Sequence, residues 1–87
     1  MRLGFEVTYA DGNTEKVVCG APDFIAFENK FEVSITKLKD DQRFGWLAFL
    51  VWNALRRSKK TDKTFEDWCD TIEVIAGDDA TDPKSEG

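Results

Sequence analysis

Apolar side chains occupy every second position from Leu3 to Tyr9: Leu3, Phe5, Val7 and Tyr9 alternate with Gly4, Glu6 and Thr8. That period of two predicts a strand with one apolar face. Asp11-Gly12-Asn13 supplies turn chemistry and Glu15 to Cys19 returns, so the segment reads as a β-hairpin. A lone hairpin is barely stable in water, so Phe5, Val7 and Tyr9 are expected to pack on a helix or pair with another chain. The strand edges are then a candidate assembly site. Gly20-Ala21-Pro22-Asp23 breaks the strand and opens a helix, with Pro22 where a missing N–H costs least and Asp23 near the positive end of the dipole. Phe24, Phe27, Glu28 and Phe31 follow at helical spacing, with Ile25 beside them. Val33, Ile35 and Leu38 continue as a connector or a single turn capped by Ser34. Asp40 and Asp41 are expected to cap the helix that comes next.

That helix is the most apolar stretch of the chain. Eleven of the twelve residues from Phe44 to Leu55 are apolar or glycine and none is charged. At 100° per residue, Phe44, Leu47, Ala48, Val51, Ala54 and Leu55 form a core-facing stripe with Trp52 at its edge. Trp46, Phe49 and Leu50 point roughly the other way, so one covering layer cannot bury both sectors. Three large side chains left in water would forfeit about 5–9 kcal/mol, against a total stability of about 5–15 kcal/mol for a small domain. Either other elements wrap the helix or a partner does.

Past Leu55 the sequence becomes basic, Arg56-Arg57-Ser58-Lys59-Lys60, at a helix end where the dipole favours cations. Thr64-Phe65-Glu66-Asp67 matches a capping-box pattern before an apolar run. Phe65, Trp68, Cys69, Ile72, Ile75 and Ala76 then fit one face of a third helix, which Gly77 would close. Asp78 to Gly87 has no large apolar residue and reads as an acidic disordered tail. The expected architecture is α+β: a small N-terminal hairpin followed by about three helices, the central one long and apolar. Residues 1–77 would form one globular domain and 78–87 a flexible tail.

With 41% hydrophobic residues among 87, including seven Phe and three Trp, the chain can build one small core. Seventeen acidic against twelve basic residues give a net charge of −5, which argues against generic binding to nucleic acid or anionic membranes. The absence of histidine removes the commonest general base, every Ser-His or Cys-His nucleophile and any Cys/His zinc spacing. Cys19 and Cys69 are expected to be reduced and buried. Asp40 with Asp41, and Glu66 with Asp67 and Asp70, read more simply as helix-start and solvent-face carboxylates than as catalytic pairs, and the six scattered glycines form no phosphate loop. No enzyme activity, cofactor or metal is expected. The start lacks the apolar region of a signal peptide, and the greasy run is too short to span a bilayer. The expected location is cytoplasmic. Arg56, Arg57, Lys59, Lys60 and Lys63 beside Trp52 admit a nucleic-acid reading, opposed by the overall acidity and by the dipole explanation.

Four blocks carry a resemblance: Phe-Glu-Val-Thr-Tyr-Ala-Asp-Gly at the front, the segment from Asp23 to Phe31, the segment from Asp41 to Arg57, and Thr64-Phe-Glu-Asp-Trp. In order and type, over about residues 3 to 75, the chain resembles the small tail assembly chaperones of long-tailed bacteriophages, particularly those of actinobacterial hosts. It departs from them at Gly45, where a charged residue is more usual. The resemblance implies a non-enzymatic protein of the host cytoplasm that binds the tape measure protein, keeps it soluble, helps tail tube subunits assemble around it and is absent from the mature virion. It also implies a longer form made by programmed frameshifting, through which the tail tube protein is contacted. Asp82-Pro83-Lys84 permits a CCCAAAG slip site.

The residue pattern and the resemblance meet in one expectation: an amphipathic client helix laid in an apolar groove. Trp46, Phe49 and Leu50, helped by Trp52, Phe27 and Phe31, are the candidate partner-binding residues, for the client or for a neighbouring subunit of a homo-oligomer. The alternative is a small acidic regulator or inhibitor without catalytic activity that occupies a partner's surface, with imitation of nucleic acid by its carboxylates as one form of it.

Overall fold

The computed structural model describes residues 2–41 and 43–77. Strands β1 (Leu3–Tyr9) and β2 (Thr14–Cys19) form the expected antiparallel hairpin, in a register that sets Phe5 against Val17 and Glu6 against Lys16. Gly12 carries the turn at φ 95°, a conformation glycine adopts without a Cβ penalty. Helix α1 spans Ala21–Phe31, a single turn α2 spans Lys37–Asp40, and the long helix α3 spans Phe44–Arg57. A short helix α4 (Phe65–Cys69) leads into strand β3 (Ile72–Gly77). The fold is α+β, with a three-stranded antiparallel sheet ordered β2-β1-β3.

The third strand corrects the expectation of a helix running to Ala76. Thr71, Ile72, Val74 and Ile75 are β-branched and favour the pleated surface, and β1 had an edge to fill. The register passes from Thr8 opposite Val74 to Tyr9 opposite Ile72, leaving Glu73 as the extra residue of a bulge. Ile72 and Ile75 are three apart and would face opposite sides of a regular strand. The bulge lets both join the core. The helical spacing was therefore real as a core pattern for Phe65, Trp68, Cys69, Ile72 and Ile75, though a bulged strand delivers its last part, and Ala76 is exposed. Gly77 sits opposite Phe5 at a strand end and closes no helix. With β1 paired on both sides, the open sheet edges belong to β2 and β3.

Helix α3 lies against the inner face of the sheet, between α1 and α4. Phe5, Val7, Val17, Cys19 and Ile75 meet Leu47, Ala48, Leu50, Val51, Ala54 and Leu55 in one core, closed by Phe24 and Phe27 from α1 and by Trp68 from α4. Two apolar residues assigned to packing lie outside it: Phe44 is 49% exposed at the start of α3, and Ile25 is 60% exposed on α1. The Asp40-Asp41 cap is also corrected. Asp40 ends α2, the N-cap of α3 is Arg43, and Asp41 accepts a hydrogen bond from Arg43 Nε at 2.9 Å. The N-cap position of α2 is Thr36, whose side chain makes no cap hydrogen bond, while the Ser34 hydroxyl accepts the Thr36 N–H at 3.2 Å and its carbonyl accepts the Lys37 N–H. Thr64 caps α4 as expected, its hydroxyl accepting the Asp67 N–H at 3.2 Å. The proposed acidic tail, 78–87, lies outside the described residues.

Asp23 is the buried charged residue of the core, with no exposed surface. Its position at the third residue of α1 comes from capping: Oδ2 accepts the Gly20 N–H at 2.9 Å. Asn53 Nδ2 donates to Oδ1 at 2.8 Å, and Arg57 grips both oxygens, Nε to Oδ1 at 3.2 Å and Nη2 to Oδ2 at 2.7 Å. Burial pushes the carboxyl pKa up, but the Arg57, Gly20 and Asn53 hydrogen bonds outweigh it and hold the group below the usual carboxylate range. Asn53 and Arg57 are four apart on α3 and reach the same oxygen, so the network ties the end of the long helix to the start of α1.

Candidate functional site: a cation-fringed aromatic row

Of the two alternatives for the second apolar sector of α3, the chain's own elements supply most of the cover. Leu50 and Phe27 have no exposed surface and Phe49 keeps 7%, so these three candidate partner-binding residues belong to the chain's own core. The cover comes from α1 and α4, whose Phe31 and Phe65 flank Phe49 at ring-centroid distances of 5.6 and 6.1 Å. Period counting found the surplus on α3 but could not place the phenylalanines that meet it. Trp46, Trp52 and Phe31 are half-buried and reach the surface.

Together these rings form a continuous row across three helices. Trp46 packs on Phe31 at 6.1 Å, Phe31 on Phe49, Phe49 on Trp52 at 5.9 Å, and Trp52 on Phe65 at 5.5 Å. Phe27 lies beneath, edge-on to Trp46 at 5.5 Å and 87°. Within α3 the row follows residues 46, 49 and 52, an i+3 ridge inclined about 45° to the helix axis. A helix seated along it would cross α3 obliquely.

Cations stand against both tryptophans of the row and against its middle. Arg43 lies 5.3 Å from the Trp46 ring centroid and Arg56 lies 5.4 Å from that of Trp52. Lys30 Nζ stands 5.7 Å from Phe31 and 5.8 Å from Phe49. Such cation–π contacts are worth about 0.5–1 kcal/mol at exposed sites. Of these cations the sequence placed only Arg56 beside an aromatic, Trp52, within the basic patch; Lys30 and Arg43 were not singled out. The spacing held a signal for Arg43 as well as Arg56, because Arg43 to Trp46 and Trp52 to Arg56 are i,i+3 and i,i+4 pairs.

Beyond Arg56 the helix closes in a Schellman arrangement: Lys60 N–H donates to the Leu55 carbonyl at 2.8 Å and Lys59 N–H to that of Arg56 at 3.0 Å, with Lys59 at φ 63°. The turn doubles the chain back, and Trp52 Nε1 fastens the return by donating to the Lys63 carbonyl at 3.0 Å. Arg56, Lys59, Lys60, Thr61 and Asp62 then line an open hollow of about 390 Å³. Arg57 does not join this basic patch, since its guanidinium turns to Asp23.

Polar groups elsewhere are committed to structure. All four hydrogen bonds to the Asp23 carboxylate come from the fold itself, filling the roughly four lone-pair sites such a group offers. The Cys19 thiol donates to the Leu50 carbonyl at 3.3 Å, and burial pushes its pKa up to about 12. Burial also raises the pKa of Cys69. Among the described residues no three His, Cys, Asp or Glu side chains gather as a metal site, and no helix is long and apolar enough to cross a membrane. Comparison with family models found no match, and searches of curated proteins and of solved structures likewise found none.

Proposed function

We propose that this protein is a non-enzymatic assembly chaperone of the long-tailed phage type, and that the aromatic row holds an amphipathic helix of its client, the tape measure protein. The observation that carries the reading is the row itself: four half-buried rings from α1, α3 and α4 around the buried Phe49. Rings packed in this way are held in place before a partner arrives, so docking costs little side-chain entropy. The sequence resemblance supplies the identity of the client, and the row supplies apolar aromatic surface of the kind an amphipathic helix packs against. The contact set is revised accordingly to Trp46, Trp52, Phe31 and Phe65, with Phe49, Leu50 and Phe27 as the floor that shapes it.

Co-expression with the tape measure protein tests the proposal. The Trp46→Ala/Trp52→Ala variant, checked for folding by circular dichroism and thermal melting, is expected to leave most of the client in the insoluble fraction. Client solubility equal to that with the unaltered protein, from a variant that is folded, would refute it.

A further inference from the structure

We infer that the aromatic row selects helices whose apolar stripe is flanked by carboxylates, and rejects both basic helices and nucleic acid. The inference rests on the client-binding reading above and adds the chemistry of the partner. Its basis is the electrostatics of the row. Arg43, Lys30 and Arg56 stand against the rings of Trp46, Phe31 with Phe49, and Trp52. Of these cations, Arg43 has a carboxylate partner, the exposed Asp41. The ring contacts are of both kinds, edge to face for Phe31 with Phe49 at 89° and Trp52 with Phe65 at 66°, and tilted for Phe31 with Trp46 at 53° and Phe49 with Trp52 at 47°. The positive potential of this apolar surface comes from the cations beside the rings, set in a chain whose net charge is −5.

The same geometry separates a peptide from a single-stranded nucleic acid, which also favours cations and aromatics. Base stacking needs an open ring face, and guanidinium groups already stand over the Trp46 and Trp52 rings. A carboxylate needs no ring face. It pairs with the cation where the cation already stands, while the partner's leucine or isoleucine side chains lie along the row. Arg43 at the N-cap of α3 and Arg56 in its last turn stand beside different rings of the row. The preferred partner is therefore a helix whose apolar stripe carries carboxylates at more than one point along its flanks. At the Arg56 end, Lys59 and Lys60 around the hollow extend the positive surface for further acidic residues.

Two synthetic helical peptides with the same leucine stripe, one flanked by glutamate and the other by lysine, provide the test, titrated against tryptophan fluorescence. The glutamate peptide is expected to bind at least about fivefold tighter at low salt, with the gap closing as salt screens the surface charges. The Lys30→Gln/Arg43→Gln/Arg56→Gln variant should lose the preference but still bind. Equal binding of the two peptides, or preference for lysine, overturns the inference and leaves the chaperone reading intact if the client still depends on Trp46 and Trp52. Failure of both peptides to bind overturns it too, and co-expression with Trp46→Ala/Trp52→Ala then shows whether the groove itself has been misassigned. Salt-sensitive binding of an oligothymidylate, competing with the glutamate peptide, overturns it in favour of nucleic acid.

Discussion

Removing the guanidinium of Arg57 isolates the one buried charge among the described residues. Arg57→Met keeps most of the aliphatic stem and deletes two of the four hydrogen bonds to Asp23, leaving the carboxylate with Gly20 N–H and Asn53. Breaking a fully buried ion pair typically costs about 3–5 kcal/mol, because the remaining charge stays desolvated. Here Asp23 has no exposed side-chain surface while Arg57 is 45% exposed. Water reaches one partner, so the expected loss is discounted to about 2–3 kcal/mol. In a chain of this size that corresponds to a melting temperature lower by about 10–20 °C. Arg57→Lys keeps the charge but loses the two-pronged fork, and should fall between the two proteins.

The pH dependence distinguishes this cause from a mere packing loss. Asp23 is held below the usual carboxylate pKa in the folded protein, against about 3.9 when unfolded. The folded state therefore binds fewer protons at this site than the unfolded state does. Its stabilisation is complete above the unfolded value and is lost as pH falls through the folded one. Without Arg57 the carboxyl pKa moves up, so the same acidification costs the variant less. Urea unfolding of both proteins from about pH 7 down to about pH 3 should show the stability gap narrowing towards acid. A loss below about 0.5 kcal/mol at neutral pH, or a gap that stays constant with pH, would refute the assignment of Asp23 and Arg57 as a coupled lock.

Two further outcomes follow from burial. Native protein treated with a thiol reagent should react first at the half-buried Cys69, while Cys19, fully buried and with its pKa pushed up to about 12, should react at least ~100-fold more slowly, at the rate of unfolding. Peptide mapping of the labelled protein checks this, and early label on Cys19 contradicts the packing. Trp68→Ala removes a 2% exposed ring set edge-on to Tyr9 at 6.5 Å, and should cost about 3–5 kcal/mol in urea unfolding. A cost below about 1 kcal/mol would mean that α4 does not close the core.

Local rules made much of this fold legible. The alternation from Leu3 to Tyr9, the Gly12 turn, Pro22 with Asp23 at a helix start and the Thr64 cap are all signals confined to a few residues, and the structure carries each of them. What the sequence hid depends on contacts between distant segments. Ile72 and Ile75 satisfy a helical period and a bulged strand equally well, and the vacant edge of β1, more than sixty positions earlier, decides between them. Asp23 looked like a dipole residue because its partners Asn53 and Arg57 lie at least thirty positions away. The Arg57 charge was accordingly grouped with the surface patch of Arg56, although the two neighbours point to different tasks: one fixes α1 to α3, the other faces Trp52.

The surplus apolar face of α3 shows how the two kinds of information combine. Counting residues correctly found more apolar surface than one layer can bury, yet the side chains that absorb it, Phe27, Phe31 and Phe65, also had apolar surplus of their own. Packing one surplus on another does not eliminate it in a domain this small. It moves the uncovered area outward, from Leu50 and Phe49 to the half-buried edges of Trp46, Phe31, Trp52 and Phe65. Cations at Lys30, Arg43 and Arg56 then give that area a charge that the composition, acidic as a whole, would not suggest. Charged side chains at the fringe keep such an apolar row hydrated, which is the property the proposed binding of an amphipathic helix would require of the free domain.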